Sequence, residues 1–106
     1  MKKYETVKKK REFDEIIHQE KCKKNNSYII YNKESNYSYP RFGIAVGKKI
    51  GNAVTRNKIK RQVRDIITKN KKLFKNNRDY IIIVKRKVLS LSYQQMEREM
   101  KSLLQE

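Results

Sequence analysis

The segment Arg41-Phe42-Gly43-Ile44-Ala45-Val46-Gly47-Lys48-Lys49-Ile50-Gly51-Asn52-Ala53-Val54-Thr55-Arg56-Asn57-Lys58-Ile59-Lys60-Arg61-Gln62-Val63-Arg64 changes its period midway. Over Arg41–Val46 the side chains alternate. Phe42, Ile44 and Val46 share one side of a strand, and Arg41, Gly43 and Ala45 the other. The second side is nearly bare, and Gly43 and Ala45 leave room for another group to approach the backbone. Gly51-Asn52 closes a turn, and Asn52 is placed to cap the helix that follows. At about 100° per residue, Ile59, Val63, Ile66 and Ile67 gather on one helix face. Asn57, Lys60, Arg61 and Arg64 gather on a face roughly 120° away, while Lys58, Asp65 and Lys69 turn toward a third, solvent-facing side. One helix thus offers an apolar face to a core and a separate cationic face to a polyanion.

Upstream, residues 9–20 read as a helix, because Phe13, Ile16 and Ile17 have the spacing of one apolar face. Residues 27–32 read as a strand through Tyr28, Ile29, Ile30 and Tyr31. The polar residues 33–38 then turn the chain, and the single proline, Pro40, lies between strands. Downstream, Asp79-Tyr80-Ile81-Ile82-Ile83-Val84 is apolar on both faces, which suits a central strand covered from both sides. The last helix opens at Ser92, with Gln95 completing a capping-box pattern. Its apolar stripe is Tyr93, Met96, Met100, Leu103 and Leu104. The order helix, strand, strand, helix, strand, helix describes an α+β sandwich with helices against one mixed sheet.

A chain of 106 residues makes one domain, spanning 1–106. Its 28 Lys and Arg against 11 Asp and Glu give a net charge of +17, a self-repulsion that a polyanion relieves. No apolar run approaches the ~20 residues of a membrane span. Met1-Lys2-Lys3-Tyr4-Glu5-Thr6 lacks the apolar core of a signal peptide, so a cytoplasmic location is expected. Cys22 is the only cysteine, which excludes an internal disulfide or a cysteine-based zinc site. His18 reads as a solvated or half-packed side chain with no partner. Asp14, Glu15 and Glu20 lie among lysines as a solvated face. A protein-only nuclease would need several acids able to hold a metal, and no such spacing is present. Any chemistry therefore belongs to a partner.

Two binding surfaces remain. Arg56, Lys60, Arg61 and Arg64 converge around Asn57, and phosphates supply most of the affinity for such a face. The second is the sheet face near Tyr31, Gly43 and Ala45, flanked by Phe13. An aromatic groove with cations at its rim grips single-stranded RNA, and core packing of Phe13 and Tyr31 is the competing reading. Composition leaves open a structural ribosomal or general RNA-binding protein. It also leaves open a helix-turn-helix protein reading DNA with residues 56–64.

Residues 41–64 resemble the signature of the bacterial ribonuclease P protein subunit. The core is Arg56-Asn57-x-Ile59-Lys60-Arg61, preceded by Lys48-Lys49-x-Gly51-Asn52-Ala53-Val54. The likeness extends to Glu12-Phe13-Asp14, Tyr28-Ile29-Ile30-Tyr31, Asp79-Tyr80-Ile81-Ile82-Ile83 and Leu91-Ser92-Tyr93, and so to nearly the whole chain. It implies a small two-layer α/β sandwich, similar to one domain of a small-subunit ribosomal protein, with a mixed sheet and a left-handed crossover through the basic helix. It implies a ribonucleoprotein endonuclease that removes the 5′ leader of precursor tRNA, in which the RNA subunit is catalytic and holds magnesium. Arg56, Asn57, Lys58, Lys60, Arg61 and Arg64 would then face the catalytic RNA. Phe13, Ile17, Tyr31, Gly43 and Ala45 would line the leader cleft, with Lys48 and Lys49 on nearby backbone. Three positions depart from the family pattern. Ile17 stands where many relatives carry a second aromatic, Lys58 where arginine is common, and Lys87 where proline is often found.

Overall fold

A strand that is apolar on both sides must be covered on both sides, and residues 79–84 obey this. In the computed structural model, which describes residues 5–7, 9–18 and 22–105, Tyr80, Ile81, Ile82 and Val84 are all buried. The elements are α1 (Lys10–Ile17), β1 (Cys22–Lys24), β2 (Tyr28–Glu34), β3 (Arg41–Val46), α2 (Ala53–Lys69), β4 (Arg78–Val84) and α3 (Tyr93–Leu104). One mixed sheet has the order β1-β2-β4-β3. β2 pairs antiparallel with β1 and β4, while β3 runs parallel to β4. A parallel neighbour needs a crossover, and α2 supplies it.

α2 and α3 cover one face. Ile59, Val63, Ile66 and Ile67 of α2 and Met96, Met100 and Leu103 of α3 are buried there, against Tyr28, Ile30, Phe42, Tyr80 and Ile82. Phe74, just beyond α2, stands edge-on to Phe42 at 4.8 Å and to Tyr80 at 5.0 Å between ring centroids. α1 covers the other face through a smaller cluster of Val7, Ile16 and Ile81. The expected caps form. The Asn52 side-chain oxygen accepts from the Thr55 N–H at 2.9 Å. Ser92 and Gln95 bond reciprocally as a capping box.

Four expectations change. β1 was not anticipated: Cys22-Lys23-Lys24 has no apolar alternation and joins the sheet edge by backbone pairing with Ile29, Ile30 and Tyr31. β2 runs on to Glu34, because Lys33 and Glu34 pair with Asp79 and Arg78. α1 spans eight residues, and residues 19 and 20 of the expected helix lie outside the described residues. His18 does have a partner: its ring Nδ1 lies 2.5 Å from the Asp14 carbonyl, which also accepts from the His18 backbone N–H at 3.1 Å.

The face of β3 read as nearly bare carries a buried ion network. Arg41 is only 8% exposed. Its Nε donates to Asp79 Oδ1 at 2.9 Å, and its Nη2 donates to Asp79 Oδ2 and to Glu12 Oε2, each at 2.6 Å. The Tyr37 ring lies 4.2 Å from the guanidinium. This group pins α1 to the β3–β4 pair. The N-terminal segment closes the same region. Thr6 bridges Phe42 in parallel, the Val7 N–H donates to the Phe42 carbonyl at 2.8 Å, and buried Glu5 accepts from Lys71 Nζ at 2.7 Å.

Asp79→Ala leaves a buried guanidinium with only Glu12, and should lower unfolding free energy by about 3 kcal/mol, measured by chemical denaturation. Alkaline pH should also weaken the fold. The Tyr28 hydroxyl donates to the Met96 carbonyl at 3.0 Å, and burial raises its pKa, with Glu99 adding to the rise. The unfolded chain releases this proton near pH ~10 while the folded chain keeps it. The stabilisation is therefore complete below that pH and is lost as pH rises above it. The denaturation midpoint should fall beyond pH ~10, and Tyr28→Phe should flatten that fall.

Candidate nucleic-acid interface

The cationic face is built from the turn before α2. Buried Ile50 anchors the short helical turn Lys48–Ile50, which leaves Lys48 and Lys49 exposed. A Cβ at Gly51 would lie 3.0 Å from the Thr55 side chain, so the turn and the first helical turn fit closely. The Gly51 carbonyl accepts from Arg56 Nε at 3.1 Å, which folds half-buried Arg56 back onto the turn. Asn57, Lys58, Arg61 and Arg64 are exposed, and Lys60 is half-buried. The structure therefore presents Asn57, Arg61 and Arg64 freely to solvent, while Arg56 braces the turn and stiffens that end.

Lys58 stands at the edge of this face, next to Arg61. Lys58, Arg61 and Asp65 line a shallow depression with Tyr93 of α3. The Tyr93 hydroxyl donates to the Asp65 carboxylate, and Lys69 Nζ lies 3.5 Å from that carboxylate and 5.0 Å from the Tyr93 ring centre. The Tyr93 hydrogen bond lowers the Asp65 pKa, and the same bond raises that of Tyr93. Tyr93, expected in the core stripe, is half-buried and joins α3 to α2 through its polar end.

The second surface lies on the α1 side of the sheet. Phe13, Ile17, Tyr31 and Ile83 are partly buried around Val7, Ile16 and Ile81. Ala45 is half-buried beside them. The room expected at Gly43 is taken by the chain itself. A Cβ there would lie 2.5 Å from Phe13 Cε2 and 2.7 Å from Ile81 Cδ1. Gly43 is thus a seat for the Phe13 ring, and the half-exposed parts of Phe13, Ile17, Tyr31 and Ala45 form the surface. The structure brings these residues together on one face, with Lys48 and Lys49 just past the end of β3.

Sequence reasoning missed Arg41 as an organiser. The strand pattern puts it on the nearly bare side of β3 with no partner. The available signal was the parallel register, which sets Arg41 directly beside Asp79. Among the described residues, no group of three or more His, Cys, Asp or Glu is placed to hold a metal, and no helix is long and apolar enough to cross a membrane.

These features define a small, strongly basic α+β protein with a mixed four-stranded sheet, a cationic crossover helix and an aromatic patch on the opposite sheet face. The chain belongs to the ribonuclease P protein family, whose model, described as Ribonuclease P, matches residues 1–106. It is 45% identical to the ribonuclease P protein component of Mycoplasma mycoides over 107 residues, covering 100% of this chain and 98% of that one. It is 38% identical to that of Streptococcus pyogenes, covering 98% and 87%. The Thermotoga maritima RNase P protein superposes with a TM-score of 0.85 at 28% identity, covering 94% of each chain. A Staphylococcus aureus RNase P protein mutant, described as defective in mRNA degradation activity, gives 0.89 at 29% identity, covering 97% and 87%. The chain is accordingly part of an endoribonuclease complex of tRNA processing that also contains an RNA subunit. This supersedes the ribosomal and DNA-reading alternatives.

Gly43→Ala should displace the Phe13 ring and destabilise the protein by about 1–3 kcal/mol, as overpacking does. In Gly43→Ala/Phe13→Ala the clash with the ring is absent and only that with Ile81 Cδ1 remains, so a double-mutant cycle should show coupling between the two positions.

Proposed function

We propose that this protein holds the 5′ leader of precursor tRNA on the α1 side of its sheet and docks the catalytic RNA with the cationic face of α2. Leader nucleotides lie against Phe13, Ile17, Tyr31 and Ala45, with Gly43 seating Phe13 and Lys48 and Lys49 meeting nearby phosphates. Arg56, Asn57, Lys58, Lys60, Arg61 and Arg64 serve the catalytic RNA, with Arg61 and Arg64 able to fork phosphate oxygens. The observation that carries this reading is the placement of both surfaces at one turn. Residues 47–51 connect the end of β3, which helps form the aromatic patch, to the start of α2, which carries the cations. Two RNAs bound there approach each other closely, and lysines between them reduce their phosphate repulsion.

In this reading the protein performs no bond cleavage. The RNA subunit holds the magnesium ions and cleaves at the mature 5′ end of the tRNA. The protein tightens substrate binding and lowers the magnesium requirement, in the cytoplasm. Ile17, lacking an aromatic face, supplies apolar contact where an aromatic would add stacking. Lys58 neutralises a phosphate without forking it.

The test is cleavage of precursor tRNA at low magnesium by a bacterial ribonuclease P RNA, with each component alone and with both. Cleavage at the mature 5′ end only with both is expected. Cleavage by the protein alone would overturn the accessory role. If ~4–6 phosphates of a single strand are engaged, log K should fall against log salt with a slope near −3 to −4. Arg61→Ala and Arg64→Ala should reduce holoenzyme activity with the fold intact, since both are exposed. Val63→Asp, at a fully buried position, should unfold the protein and marks what a structural defect looks like.

A further inference from the structure

A second basic surface lies where α2 ends. Lys69-Asn70-Lys71-Lys72-Leu73-Phe74-Lys75-Asn76-Asn77-Arg78 carries five cations and no acid. Its path is fixed. Phe74 is buried in the main core, the Lys75 N–H donates to the Tyr80 hydroxyl at 2.8 Å, and Asn70 Nδ2 donates to Glu97 Oε2 at 3.0 Å. Some of the charge has local work: Lys69 meets Asp65, Lys71 meets Glu5, and Arg78 lies 3.8 Å from the exposed Glu34 carboxylate. A cation at a helix C-terminus is also favoured by the helix dipole. The dipole also favours Lys101, in the last turn of α3, but neither account extends to Lys72 and Lys75; all three are exposed and come from two separate parts of the chain. Lys72 and Lys101 share one shallow pocket, and Leu73 links it to a deeper groove. That groove has an apolar floor of Ile30, Leu73 and Leu104, with Lys23, Lys75 and Arg78 at its wall. Among the described residues lining it there is no acid. Arg78 is held in place by Nη1 donating to Asn32 Oδ1 at 2.7 Å.

This surface is distinct from both described above. Ile30 and Tyr80 face α2 and α3, whereas Tyr31 and Ile81 face α1, so the groove and the aromatic patch occupy opposite sides of the sheet. At 1.5 Å per residue, Arg56 and Lys69 are roughly 20 Å apart along α2. A strand lying against Phe13 does not reach the groove. The remaining polyanion of the complex is the RNA subunit.

We propose that this end of the molecule is a second docking surface for the RNA subunit, with Lys72, Lys75 and Lys101 on phosphates and one unpaired base in the groove beside Arg78. An apolar floor with a planar guanidinium at its wall suits an unstacked base. The proposal rests on the ribonuclease P reading and adds a contact at the far end of α2. The test combines affinity with cross-linking. Lys72→Ala/Lys75→Ala/Lys101→Ala changes only exposed side chains, and its melting curve should match the parent. Its affinity for the RNA subunit should fall roughly tenfold or more at moderate salt, and its salt slope should become shallower by about 2. Lys23→Cys, in a Cys22→Ser background, accepts a thiol-directed photo-cross-linker on the groove side of β1, where Lys23 pairs with Ile30. A second probe at Val54→Cys, in a Cys22→Ser background, reports the start of α2, where Val54 is 77% exposed. Adducts from both probes on the RNA subunit, with the Lys23→Cys adduct at an unpaired nucleotide, are expected. If only the Val54→Cys probe reaches the RNA subunit, or the Lys23→Cys probe marks only precursor tRNA, the groove is not a docking surface and the ribonuclease P reading stands. If neither probe reaches the RNA subunit, both fall together.

Discussion

β4 has no polar side to give to water, and the architecture follows from that constraint. Ile81 needs cover on one face, while Tyr80, Ile82 and Val84 need it on the other. Placed between β2 and β3, the strand has its backbone satisfied on both edges and its side chains covered by helices on both faces. Its parallel pairing with β3 forces the intervening chain to cross the sheet as α2. The cationic helix is thus the crossover that a buried strand demands, and its apolar face is spent on the core. What remains outward on that helix is free to be selected for partners.

β3 resolves a harder conflict. One of its faces belongs to the main core through Phe42 and Val46. The other holds Arg41, Gly43 and Ala45 in succession, each doing something different toward α1. Arg41 ties Glu12 to Asp79, Gly43 yields its space to Phe13, and Ala45 stays half-open. Opening grows within a few residues along one strand face, from buried Arg41 and Gly43 to half-buried Ala45. This sets the aromatic patch beside the Lys48–Ile50 turn rather than at the opposite end, where the ion network closes the layers.

Much of this was legible in the sequence because α2 separates its faces cleanly and both helix caps use local side-chain chemistry. Val63 and Ile66 could be assigned to the core, and Arg61 and Arg64 to the surface, from angle alone. What depended on distant partners was not legible. By pattern alone Arg41 falls on the nearly bare side of β3 without a partner, and only the register sets it against Asp79. Gly43 looked like vacancy until Phe13 filled it. Arg56 looked like one more outward cation, but it bends back to a carbonyl that only the Gly51 turn presents. β1 carries no periodic signal, since three residues at an edge are held by their backbone.

The ties that assemble the α1 side have a consequence for the growing chain. Arg41 reaches Glu12 across 29 positions and Asp79 across 38, and Lys71 reaches Glu5 across 66. Helix α2 makes most of its contacts with material translated shortly before or after it, whereas α1, made early, waits for β4. During synthesis the N-terminal segment emerges from the ribosome long before its floor exists. The aromatic patch is therefore a late product of translation, and a nascent chain stopped before Asp79 has the basic helix but lacks Ile81 beneath α1 and the Asp79 carboxylate that holds Arg41.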